Sequence, residues 1–185
     1  KESSLHALSS RAYNFLIQAS ITVLAIFMGL IAKSWWSSIY SFLEQVSTKG
    51  ISDPIFNQEL GFYFFTLPVL KNIQAWVSLL LFITLIFVSW IYFTKNILAY
   101  LFTYSKNSAI KVHVFCLVGL LFLVFAMGSQ LKMFNLLYSD SNTVYGAGYT
   151  DVMANLLGYK VMVIALLIQA VLMIVFAFRA NIKPP

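Results

Sequence analysis

"VHVFCLVGLLFLVFAMGSQL", Val112 to Leu131, runs for twenty residues without Asp, Glu, Lys or Arg, and it is closed at both ends by a lysine, Lys111 and Lys132. A hydrocarbon core about 30 Å thick needs about 20 helical residues at about 1.5 Å each, so this stretch has the length of one crossing. Three other stretches share its design. Ala12–Ala32 lies between Arg11 and Lys33, Asn72–Thr94 between Lys71 and Lys95, and Val161–Phe178 between Lys160 and Arg179. Lipid cannot satisfy exposed backbone amides, so such segments must be helices. The reading is an all-α polytopic membrane protein. Its spans are expected at about 12–34, 70–94, 110–132 and 155–179, in one transmembrane domain covering 1–185, with external loops at 35–69 and 133–154.

Composition agrees. Hydrophobic residues make up 61% of the chain and charged residues 10%, with a mean hydropathy of +0.85; soluble domains average about 45–50% and about 25%. The first apolar run is too long for a signal-peptide core and lacks a small-residue cleavage site after it, so it reads as a true span. The single cysteine, Cys116, excludes an intrachain disulfide and a cysteine metal site, and reads as a small apolar packing residue.

Basic residues set the orientation. With both termini and the 95–111 connection on one side, that side carries Lys1, Arg11, Lys95, Lys106, Lys111, Arg179 and Lys183, seven against the five of Lys33, Lys49, Lys71, Lys132 and Lys160. The excess points to both termini being cytoplasmic. Anionic lipid and topology account for the positive charge, so no nucleic-acid partner is implied.

The first external loop is itself apolar. "WWSSIYSFLEQV" sets Trp36, Ile39, Tyr40, Leu43 and Val46 at helical spacing, opposite Ser37, Ser41, Glu44 and Gln45. That is the pattern of an amphipathic helix lying in the interface, with Trp35 and Trp36 at headgroup depth; the alternative is a frayed continuation of the first span. Further on, Gly50 breaks the helix, Asp53 and Pro54 suit an N-cap and first turn, and Pro68 sits where the second span can begin. The aromatic run Phe62, Tyr63, Phe64 and Phe65 must cover itself with lipid, the other loop or a partner. If extended, Phe62 and Phe64 would share one face and Tyr63 and Phe65 the other.

The second external loop, "NLLYSDSNTVYGAGYTDV" from Asn135 to Val152, suits an ordered re-entry. Asp140, Ser141 and Asn142 favour a tight turn, Gly146 and Gly148 supply φ > 0, and Thr150 or Asp151 can cap the helix that follows. Tyr138, Tyr145 and Tyr149 combine apolar faces with hydroxyls and fit a boundary or a protein contact. Within the spans, Gln18, Ser20, Thr22, Gly119, Gly128, Gln130 and Gln169 are expected to provide close approach or interhelical hydrogen bonds.

"DPIFNQELGFYFFTLPVL" and "NLLYSDSNTVYGAGYTDVMANL" resemble the two external signatures of the UPF0182 family, multi-spanning bacterial membrane proteins of actinobacteria, clostridia and cyanobacteria. The matching residues are Asp53, Pro54, Phe56, Gly61, Phe62 and Tyr63, then Leu136, Leu137, Tyr138, Ser139, Gly146, Gly148, Tyr149, Thr150, Asp151 and Val152, so the resemblance runs from about Asp53 to the end. The chain departs from the pattern at Lys132, Met133 and Phe134, where the family has an Asp-Arg-Tyr-like stretch, and at Met153 and Ala154, where it has His-Ala. Members are typically much longer, with more spans and a large extracytoplasmic domain. The resemblance implies a bacterial cytoplasmic membrane or a cyanobacterial thylakoid membrane; it implies no activity.

No catalytic constellation stands out. His6 and His113 have no sequence-near carboxylate or nucleophile, no phosphate loop or metal-spaced cluster occurs, and no cofactor is named by the sequence. His113 is a weak candidate ligand for a haem or chlorophyll metal. The sequence therefore favours a non-catalytic membrane subunit or scaffold. Its candidate docking residues are Phe62, Tyr63, Phe64, Phe65, Tyr138, Tyr145 and Tyr149, on loops shaped by Asp53, Pro54, Gly61, Gly146, Gly148, Thr150 and Asp151. The partners implied are the bilayer and other membrane subunits or an extracytoplasmic domain. The alternative is a transporter or lipid-handling module with an external site near Asp140 and Asp151.

Overall fold

The computed structural model describes residues 2–44, 52–94, 108–138 and 146–181. Among these residues the fold is carried by five α-helices: α1 (Glu2–Lys33), α2 (Trp36–Leu43), α3 (Leu67–Thr94), α4 (Ser108–Asn135) and α5 (Leu156–Asn181). Among the described residues the architecture is all-helical, apart from an isolated antiparallel bridge between Ser52 and Glu59. Among the described residues three helical stretches, Phe62–Tyr92, Ile110–Asn135 and Asp151–Arg179, are long and apolar enough to cross a membrane. A fourth is added if Ile17–Lys33 and Trp36–Leu43, bent by 49°, form one broken span. These helices are apolar all round, as a helix in hydrocarbon must be. Leu157, Val161, Ile164 and Ile168 form an exposed apolar stripe down α5, a surface that water would penalise.

Helix α4 is the centre, packing most extensively against α5 and next against α3, while α1 touches α3 only lightly. Small residues set the closest approach. Ala170 and Ala177 of α5 are fully buried, and a Cβ on Gly119 of α4 would stand 3.3 Å from Ile174 and 3.5 Å from the carbonyl of Ala170. Backbones brought this near gain dispersion along their length, which is what joins helices where no water drives them together. Gly119 and Gly128 thus pack as expected. The other residues assigned to interhelical bonding do not: Ser20 and Thr22 donate to carbonyls of their own helix, Ile17 and Gln18, and Gln18, Gln130 and Gln169 are exposed.

Instead Gln74 of α3 supplies a polar link within the apolar length of the helices. Its amide lies over Gly128, where a Cβ would meet Nε2 at 2.5 Å, and donates to the Ser78 hydroxyl at 3.0 Å and to the Val124 carbonyl of α4 at 3.3 Å. Helix α1 is tied to α3 by the Trp76 indole, which donates to the Met28 carbonyl at 3.3 Å, and by Trp35 edge-on to Trp76. The amphipathic pattern at Trp36 does form its own helix, α2, with Trp36, Tyr40 and Leu43 exposed.

Both membrane-length helices that follow the signature loops open with a wide π turn. The Leu67 amide donates to the Phe62 carbonyl and the Leu156 amide to the Asp151 carbonyl, each five residues back. The first turn changes the expected layout: the chain is helical from Leu60, so Pro68 falls inside a helix rather than at its start. Proline has no amide to donate, and in a regular helix its ring presses on the carbonyl four residues earlier; the widened turn ahead of it relieves that contact.

Candidate functional site

The loop-bearing end of the helices brings the two signature segments together. In the first, Asp53 organises a compact turn. Its Oδ1 accepts the amides of Ile55 at 2.7 Å and Phe56 at 2.8 Å, and its Oδ2 accepts the Gln58 amide at 3.2 Å and the Tyr63 hydroxyl at 2.6 Å. Asp53 therefore caps a turn, not a helix as the Asp-Pro pair suggested, and staples that turn to the head of the following helix. Asn57 takes the left-handed conformation, φ 54°, and the Ser52–Glu59 bridge closes the loop. Burial raises the Asp53 pKa, but the hydrogen bonds from Tyr63, Phe56, Gln58 and Ile55 outweigh it and hold the carboxyl below its ordinary range.

Tyr63 then anchors a buried cluster with Leu67 and Leu131, around which Phe62, Leu70, Phe134 and Leu137 pack. Phe134 is the hub. Its ring meets Phe56 at 4.9 Å, Phe62 at 5.1 Å and Tyr63 at 6.3 Å, all edge-to-face, a geometry that suits aromatic quadrupoles. Beside the cluster Lys71 donates to the Asn135 side-chain oxygen at 2.7 Å, a charge-assisted tie between α3 and α4.

The second segment enters α5 through Gly148, whose carbonyl accepts the Val152 amide at 3.1 Å. Asp151 Oδ2 reaches back to the Gly148 amide at 3.0 Å, and its Oδ1 accepts from Asn155 at 2.8 Å. This is the acidic half of a capping box at the positive end of a helix. Thr150 makes no side-chain cap bond. Only Gly146, at φ 105°, has the positive φ expected of both glycines; Gly148 does not. Ile55 and Phe56 of the first loop meet Leu137, Ala147, Asp151 and Val152 of the second around a space of about 10 Å³, room for about one water molecule.

The aromatic run is helical, so alternate residues do not share a face as an extended strand would require. Tyr63 is 5% exposed and committed to Asp53, Phe62 and Phe65 are half-buried, and Phe64 points out at 57% exposed. Tyr149 is 79% exposed at the same end. Asp140 and Tyr145 lie outside the described residues, as does the side chain of Tyr138. At the opposite end of α3 and α4, exposed His113 is paired through Nδ1 with the Tyr92 hydroxyl at 3.0 Å. No group of three or more His, Cys, Asp or Glu among the described residues could hold a metal ion. Sequence reasoning missed Gln74, the Lys71–Asn135 tie and the role of Phe134. Gln74 and Ser78, four residues apart in an apolar helix, were the available signal.

Membrane-length apolar helices, closed at one end by two interlocked loops, define the class: a helical protein of membrane type. The model of the uncharacterised protein family UPF0182 matches residues 1–185. The chain belongs to that family, and the match extends N-terminal of the signatures that first suggested it. A UPF0182 protein of Desulforamulus reducens is 33% identical over 167 residues, 86% of this chain and 18% of its own length. One from Trichodesmium erythraeum is 30% identical over 90% of this chain and 18% of its own, and one from a Synechococcus strain is 37% identical over 75% and 16%. This chain therefore spans only a small part of the relatives it matches. No solved structure matches it.

Proposed function

We propose that the chain is a non-catalytic membrane scaffold whose loop end docks onto a protein partner, either another subunit or an extracytoplasmic portion of a longer protein. It crosses a bacterial cytoplasmic or thylakoid membrane four times, α1 giving the first span and α2 lying at the interface, with both termini cytoplasmic. The observation that carries the reading is the loop end itself. The carboxylates of Asp53 and Asp151 are spent on internal bonds, the space between the loops is water-sized, and Phe64, Tyr149 and Met153 remain exposed. A rigid platform with outward aromatics suits contact with a protein. A transporter or lipid-handling site at Asp151 has less support, because that carboxylate is engaged with Gly148 and Asn155.

The test is a paired Phe64→Ser and Tyr149→Ser change in protein extracted in mild detergent. The expected result is loss of co-migrating protein on native gels with unchanged thermal stability, since neither side chain is buried. Retention equal to wild type would refute the docking reading. Topology is tested separately by cysteine labelling on a Cys116→Ser background. Positions 149 and 105, the latter outside the described residues, should react from opposite sides; labelling from the same side would overturn the four-span arrangement.

A further inference from the structure

Helix α1 packs on α3 only lightly, held by the contacts of Trp76 with Met28 and Trp35, and a groove of about 440 Å³ lies between the two helices. Every lining side chain is apolar, from Ile21, Gly29 and Ala32 on α1 to Trp76, Leu80 and Ile83 on α3. From Ile21 to Ala32 the groove extends about 16 Å at the rise of a helix, about half the hydrocarbon thickness, which is the reach of a single leaflet. Its ends differ. At one, Trp35 stands edge-on to Trp76, and exposed Lys33 closes α1 one residue beyond Ala32. Tryptophan and lysine together mark headgroup depth. At the other, Ile21 and Ile83 offer hydrocarbon alone.

The geometry points to a binding site for one anionic phospholipid, an acyl chain lying in the α1–α3 groove and its headgroup phosphate at Lys33. Hydrocarbon matches the lining, the length matches one leaflet, and Lys33 stands at the end where the phosphate would be. The site rests on α1 and α3 crossing the bilayer, as proposed above.

The experiment uses the full chain with Trp35, Trp36 and Trp90 replaced by Phe, so that Trp76 alone fluoresces, reconstituted into vesicles containing a trace of lipid brominated along one acyl chain. Brominated phosphatidylglycerol should quench Trp76 about fivefold more effectively than brominated phosphatidylcholine at equal mole fraction, the discrimination expected of one lysine at a membrane surface. Lys33→Gln should bring the ratio to about one. A Cβ on Gly29 meets nothing within 4 Å, so Gly29→Leu should fill the groove and reduce quenching by both lipids; Ala25→Leu provides a second filling variant in case the first folds poorly. Quenching that follows bulk composition in every variant would overturn the lipid site while leaving the spans intact. Quenching by aqueous acrylamide instead of by lipid would overturn the span reading itself. A Trp76 shielded from both, together with a dimer on native gels, would mean that a second copy of the chain fills the groove.

Discussion

Replacing Gly128 by alanine isolates one of the contacts that join α3 to α4. The added Cβ would stand 2.5 Å from Nε2 and 2.9 Å from Cδ of Gln74, closer than carbon tolerates. Because the amide is the far end of a flexible side chain, it would swing aside rather than force the helices apart. Swinging breaks its bonds to the Ser78 hydroxyl and the Val124 carbonyl. Hydrogen bonds inside membrane proteins are worth about 0.6 kcal/mol on average and at most about 1.7, so losing two should cost about 1–3 kcal/mol. Reversible unfolding in mixed dodecylmaltoside and dodecyl sulfate micelles measures this, in a cycle with Gln74→Ala. In the Gln74→Ala background the amide is gone, and Gly128→Ala should then show only the helix preference that the Gly158→Ala control measures. Gly158→Ala is the control, since its Cβ meets nothing and alanine favours helix over glycine by about 0.8–1.0 kcal/mol. Equal costs of Gly128→Ala in the two backgrounds would refute the assigned contact.

The remaining predictions concern the loop end. Tyr63→Phe removes a hydroxyl donor from a half-buried carboxylate and should cost about 1–2 kcal/mol, read as faster proteolysis within 52–59. Because the Asp53 carboxyl is held below its ordinary pKa, its staple is complete above the unfolded value of about 3.9 and is lost as pH falls through the lowered one; protection should stay flat from pH 8 to 5, and a drop within that range would refute the assignment. Gly146→Val places a β-branched residue at φ 105° and should cost about 1–3 kcal/mol, whereas Gly148→Ala, whose Cβ would sit 3.5 Å from Asp151 Oδ2, should cost well under that; the reverse order in thermal unfolding would contradict the backbone geometry. Asp151→Ala should cost about 1 kcal/mol, the typical worth of a cap.

The helices were legible in the sequence because hydropathy acts on whole segments: a charge-free run between Lys111 and Lys132 has few alternatives. Gly119 and Gly128 were legible as close-approach residues for the same reason, since glycine in an apolar helix has little else to contribute. Their partners were not. A helix that is apolar all round carries no periodic signal for which face meets its neighbour, so Gln74 could not be matched to Gly128, nor Phe134 to Phe56 and Phe62. The run Phe62–Phe65 looked like loop because Pro68 marks a helix start in most contexts, and a wide turn that accommodates a proline inside a helix leaves no local signature. At Gly148 the motif was read as a conformational requirement, whereas the residue serves as an N-cap whose amide meets Asp151.

The two wide turns at Phe62–Thr66 and Asp151–Asn155 have a consequence for how this chain can change length. Each holds one residue more than a regular turn, so deleting a single residue there would restore ordinary helix and leave the side chains below on their present faces. The same deletion in mid-helix, beside Gly119 for example, would rotate everything beyond it by about 100° and turn the small residues away from α5. Single-residue deletions are therefore absorbed at the loop end of the fold, where each wide turn carries one residue of slack, and are disruptive along the Gly119–Ala170 seam, which carries none.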